Sequence, residues 1–246
     1  MKYRPINLKP WEARAFAQGS KTRITRVITP QPPEGSTLFV GNYFPMVVGR
    51  DGEQRPAKRE VYGVWSEDGE YACKSPFGQP GDEIWGRETW QEYCPMWLGA
   101  WCGHGTQEGI EKDHRVVYRA DDHDKWLIRD TPEEAARLGR DVSEDVIGPP
   151  AGWKAPGTMP RWASRIAITI KSVRFERVQD ISEADAISEG FPGSFSPAFF
   201  DGWEMVGPDG EMPSQEFAKQ FDIDNGPNSW DANPWVWVYQ VERKGE

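Results

Sequence analysis

The chain has 246 residues, 28% of them charged, with a net charge of -10, 13 Trp and 21 Pro. That length suffices for one elaborated domain or two small ones, and the mean hydropathy of -0.72 leaves no apolar run long enough to cross a bilayer. The acidic balance argues against an all-over basic surface that coats duplex DNA, because non-specific binding is largely phosphate neutralisation; a nucleotide or nucleoside needs only a local basic pocket. The start MKYRPINLKP lacks the apolar core of a signal peptide, and three cysteines without framework spacing suit a reducing compartment. A cytoplasmic protein without disulfides is expected.

In chain order, Trp11, Ala13, Ala15 and Phe16 form a short helical pattern, with Pro10 and Glu12 in its first turn and Gly19 as its stop. A strand follows over Thr22 to Ile28, rich in β-branched residues. Period two places Lys21, Arg23 and Thr25 on one face and Thr22, Ile24 and Arg26 on the other. The segment is either a charged edge strand or the cationic wall of a site.

Pro30 to Pro33 open a loop. Short strands are expected at Leu38–Val40, Met46–Val48, Val61–Trp65 and Glu70–Cys73, the last two joined by a hairpin turn at Glu67–Glu70. Another runs from Ile84 to Trp90, with Trp85, Arg87 and Thr89 on one side. Residues of about 91–159 differ in character and read as an insertion, with a strand at Arg115–Tyr118 and a helix at Pro132–Gly139. Cys94, Cys102, His104 and His114 lie there, but no close ligand pair such as C-x-x-C occurs, so no metal is expected.

Ile166 to Ile170 begins a long strand reaching Arg177, its apolar face continued by Val173 and Phe175. Ser182 caps a helix that Gly190 ends, with Glu183 and Asp185 at its positive end. On that helix Ile181, Ala184 or Asp185, and Ser188 fall along one side, and Ala186, Glu189 and Gly190 along another. A polar loop runs to Pro213, Ser214–Phe221 form a further helix, and Asn233–Val241 is a closing strand with Trp235, Trp237 and Tyr239 on one face.

Taken together, G-x-K-T-x-x-x-R, PGDEIWGRETW, MPRWASRI, DISEADAISEG and WDANPWVWV resemble the ASCH-domain proteins common in bacteriophages and prophages. The resemblance implies an α+β fold: a single domain over 1–246 built on a PUA-like mixed β-barrel with flanking helices, interrupted by the insertion at about 91–159. It also implies a cleft for nucleosides, nucleotides or single-stranded RNA, with no cofactor. In a family branch that removes the acetyl group from acetylcytidine nucleosides, the matching catalytic positions are Lys21 and Glu189, with Thr22 or Thr25 as the hydroxyl.

The family's second threonine is replaced here by Ile24. A one-residue shift turns a strand side chain to the other face, so Thr25 is expected to stand in only if the backbone bulges. Arg23, Arg26, Trp85, Arg87 and Trp235 are the expected substrate-binding residues, the Trp rings offering stacking faces. Two classes follow: a hydrolase acting on an acylated nucleoside or on RNA, and a non-catalytic module that binds RNA or a modified base. Lys21, Thr22, Arg26 and Glu189 are expected to line one concave, partly exposed site with at least one Trp on its rim, so that, if the site is catalytic, Lys21→Ala and Glu189→Gln each abolish turnover and leave stability nearly unchanged.

Overall fold

The computed structural model describes residues 3–93, 115–121, 153–192, 194–195, 205–206 and 211–244. In chain order the elements are β1 (Tyr3–Asn7), α1 (Pro10–Gln18), β2 (Arg23–Val27), β3 (Leu38–Tyr43), β4 (Met46–Val48), β5 (Gln54–Pro56), β6 (Val61–Ser66), β7 (Ala72–Lys74), β8 (Glu83–Arg87), β9 (Trp90–Tyr93), β10 (Arg115–Tyr118), β11 (Ala167–Arg177), α2 (Glu183–Glu189), β12 (Ser194–Phe195), β13 (Met205–Val206), α3 (Pro213–Asn225) and β14 (Trp235–Arg243). The protein is a mixed α+β structure, and among the described residues none of its sheets closes into a barrel.

Two compact units divide these residues, one from 1–6, 15–86 and 166–246, the other from 7–14 and 87–165. The expected insertion at about 91–159 falls inside the second of these ranges.

The first unit is organised on a five-stranded sheet in the order β1-β8-β11-β14-β2. The pairings of β8 with β11, β11 with β14 and β14 with β2 are antiparallel. β14 lies inside the sheet, and Val236, Trp237, Val238 and Tyr239 are all buried. A strand covered on both faces reads as a continuous apolar run, as WVWVY does. On one face Val236 and Val238 pack with Val178, Ile181, Ala186, Phe217 and Phe221, from the segment before α2, from α2 and from α3. On the other, Tyr239 pairs with the fully buried Ile24 and its hydroxyl lies 2.9 Å from Ser75 Oγ.

β3, β6 and β7 form a separate antiparallel sheet, and β4 pairs with β5. The short β5 carries no sequence signal, being three polar or imino residues. The strand expected over Ile84–Trp90 is divided, β8 ending at Arg87 and β9 starting at Trp90.

In the second unit β9 and β10 pair with Trp90 opposite Tyr118. The buried Glu88 and the half-buried Asp121 both grip Arg165, through Nε–Oε1 at 3.0 Å and Nη2–Oε2 at 2.9 Å, and through Nη1–Oδ2 at 2.9 Å and Nη2–Oδ1 at 2.7 Å. The guanidinium also lies 4.0 Å from the Tyr118 ring. It is a structural clamp. The helix expected at Pro132–Gly139 and the residues Cys94, Cys102, His104 and His114 lie outside the described residues.

Candidate functional site

The site is built where the start of β2 meets the end of α2. α1 stops at Gly19, whose φ of 78° only glycine adopts cheaply. The chain turns there, with Ser20 N donating to Ala15 O at 3.0 Å, and Lys21 enters the interior. Its side chain is buried and its ammonium lies 5.9 Å from the centre of the Phe16 ring.

α2 begins at Ser182, whose hydroxyl accepts from Asp185 N at 3.1 Å, and ends at Gly190 with φ 109°. A helix leaves its last carbonyls without intrahelical donors. Here the Ala186 and Ile187 carbonyls accept from Phe191 N at 3.2 Å and Gly190 N at 2.9 Å, and Ser188 O accepts from Thr22 N at 2.8 Å. Glu189 O accepts from Lys21 Nζ at 2.8 Å. Residues 21 and 22 therefore stitch the helix end to the sheet.

The Glu189 side chain is 2% exposed. A buried charge at the negative end of a helix is unfavourable unless compensated. Lys21 Nζ donates to its Oε2 at 2.5 Å, Thr25 Oγ1 donates to its Oε1, and Arg23 Nε lies 3.4 Å from the same oxygen.

Arg23 extends the group. It pairs with Glu176 and with Asp185 at 2.5 Å, and Arg174 bridges Glu176 at 2.9 Å and Asp185 at 3.2 Å. Three cations thus face three carboxylates, with Thr25 Oγ1 against the innermost. Burial pushes the Asp185 carboxyl up, but hydrogen bonding and charge from Arg23, the Ser182 hydroxyl and the charge of Arg174 outweigh it and hold it below its ordinary value.

Of the residues expected to act together, Lys21, Thr25 and Glu189 meet in this cluster. No bulge is needed. The register of β2 on β14 is unbroken from Arg23 to Val27, so Thr25 shares the face of Lys21 and Arg23 and reaches Glu189, while Ile24 fills the core on the other side.

The other residues expected at the site lie as follows. The Thr22 side chain is exposed, and its contacts on this site are through the backbone. Arg26 is turned to the opposite sheet face, in register with Trp237 and with Nη1 donating to Thr25 O at 2.8 Å. Arg23 is 1% exposed and offers no surface to a substrate. Trp85 is buried across from Ala167. Trp235 lies on the Phe175 face, its ring covered by Arg177 at 4.7 Å and Phe175 at 5.3 Å. Arg87 is half-buried in the second unit.

Sequence reading missed Arg174, Glu176 and Asp185. The signal was present: Ser172, Arg174 and Glu176 alternate with Val173 and Phe175 along β11, and Asp185 precedes Glu189 by four residues, which puts both on one side of a helix. Assigning Asp185 and Glu189 to different sides hid the cluster. Among the described residues no group of three or more His, Cys, Asp or Glu could hold a metal ion, and no helix is long and apolar enough to cross a membrane. No family model matches the chain, and neither a curated protein nor a solved structure matches it.

Proposed function

We propose that this chain is an ASCH-type protein of PUA-like fold that hydrolyses the acyl group of a modified nucleoside, an N-acylated cytidine being the class to which its sequence resemblance points. The observation that carries this reading is the hydrogen bond from Thr25 Oγ1 to Glu189 Oε1, with Lys21 holding the other carboxylate oxygen. A hydroxyl against an oriented carboxylate is the arrangement a nucleophile and its base require.

In the proposed reaction Thr25 Oγ attacks the acyl carbon as its proton passes to Glu189. The proton then goes to the departing amine, and water activated by Glu189 cleaves the threonine ester. Lys21 keeps the carboxylate aimed. Thr25, at 8% exposure, is the most accessible of the three, which suits the group that must meet substrate.

The same burial favours a second reading. Lys21 and Glu189 are 2% and 1% exposed, as in an ion pair that fastens a helix to a sheet in a module binding RNA or a modified base without turnover.

Incubation with N4-acetylcytidine, other acylated nucleosides and short single-stranded RNAs, followed by mass spectrometry, separates the two. The hydrolase reading expects free cytidine from wild type, retained turnover in Thr25→Ser, and none in Thr25→Val, with the variants' circular dichroism unchanged. RNA bound intact, with every acylated nucleoside recovered, would establish the binding module instead.

A further inference from the structure

We infer that Arg23 is a positioning residue that holds the Glu189 carboxylate aimed at the Thr25 hydroxyl, without touching substrate. This rests on the hydrolase reading above. Arg23 Nε lies 3.4 Å from Thr25 Oγ1 and 3.4 Å from Glu189 Oε1, the two atoms between which the proton must pass. The far side of the guanidinium is held by Glu176 and by Asp185 at 2.5 Å. Neighbours on three sides restrict how far this planar group can turn. Its charge is therefore kept next to the reacting pair.

The charge balance explains why that matters. Lys21, Arg23 and Thr25 from the β2 segment face Glu189, while Glu176 and Asp185 lie against Arg23 and Arg174. Without Arg23, Oε1 of Glu189 loses the cation beside it and keeps the Thr25 hydroxyl. Arg23 also favours the negative charge that builds on Oγ as its proton leaves for Glu189.

The test compares wild type, Arg23→Met and Arg23→Lys with N4-acetylcytidine as substrate, together with the carbon-13 carboxyl NMR signal of Glu189. In Arg23→Met kcat should fall about a hundredfold with KM within about twofold of wild type, as expected for an interaction made in the transition state, and the Glu189 signal should broaden or split because the carboxylate is no longer held in one orientation. Arg23→Lys, which restores charge but not the fork, should recover about tenfold of that loss in kcat.

A raised KM with unchanged kcat would make Arg23 a substrate-binding residue and overturn the inference. An unchanged Glu189 carboxyl signal, with kcat falling only with the folded fraction, would make it purely structural and overturn it too. If Arg23→Met does not fold, the kcat and KM of Arg23→Lys decide alone. If wild type turns over no acylated nucleoside, the hydrolase reading fails by itself. The Glu189 carboxyl signal of Arg23→Lys against wild type then decides, a broadened or split signal supporting the hold of Arg23 on that carboxylate and an unchanged one removing it.

Discussion

Lys21 and Glu189 each bring a charge into an interior that excludes water, and each is tolerable because the other is 2.5 Å away. Removing one partner of a buried pair leaves the other uncompensated, at a cost of about 3–5 kcal/mol. The near-neutral outcome expected for partly exposed residues is therefore revised. Lys21→Ala should lower the unfolding free energy in urea by about 3–5 kcal/mol, and a loss under ~0.5 kcal/mol, typical of surface positions, would show that the pair is open to solvent.

Asp185 makes a second, pH-dependent case at the same scale. Its carboxyl is held below its ordinary value in the folded protein, so its contribution to stability is complete above the unfolded value near ~3.9. That contribution fades as pH falls through the folded value. Below about pH 4 wild type should lose stability more steeply than Asp185→Asn, measured by thermal melts across pH. Parallel curves would remove Asp185 from the account of acid sensitivity.

At the level of elements, α2 is a seven-residue helix that is too short to persist alone and depends on its ends. Ser182 secures one, as its sequence position predicts. Gly190 secures the other in two ways. Its φ of 109° is strained for residues with a side chain, and a Cβ there would lie 2.9 Å from Ala15 Cβ. The close approach brings the helix end against α1 and lets Lys21 reach Glu189. Gly190→Ala should destabilise by more than the ~1–2 kcal/mol of left-handed backbone alone. Adding Ala15→Gly should return the steric part, so the double-mutant cycle is expected to show coupling between these sites; simple additivity would mean that the contact relaxes without cost.

For the whole molecule, the last strand of the chain is an interior strand of the main sheet. β14 pairs with β11 on one side and β2 on the other, and its two faces carry different burdens, the helical layer on one and Tyr239 with Ile24 on the other. The first unit should consequently not form until β14 is present. Truncation before Trp235 is expected to abolish cooperative unfolding, and in the intact protein the amides of Val236 to Val241 should be among the slowest to exchange, opening only with global unfolding. Fast exchange there would contradict a central position for the strand.

Local chemistry was legible in the sequence. Gly19 and Gly190 as helix stops, Ser182 as a cap, the apolar run of β14 and the face shared by Lys21, Arg23 and Thr25 all follow from backbone geometry and period, which neighbouring residues set. What period two could not say is which face lies inward. Lys21, Arg23 and Thr25 read as an edge or a pocket wall, and it was the packing of α2 over the sheet that made their face an interior one and gave each cation a carboxylate from a distant segment. The requirement for a bulge at Thr25 fell for the same reason: the strand stays regular, and the position of Glu189 in space, 164 residues further on, selects which hydroxyl it meets. Pairing across such separations leaves no local trace, because the free energy that fixes it comes from burial and charge balance among segments that only the fold brings together.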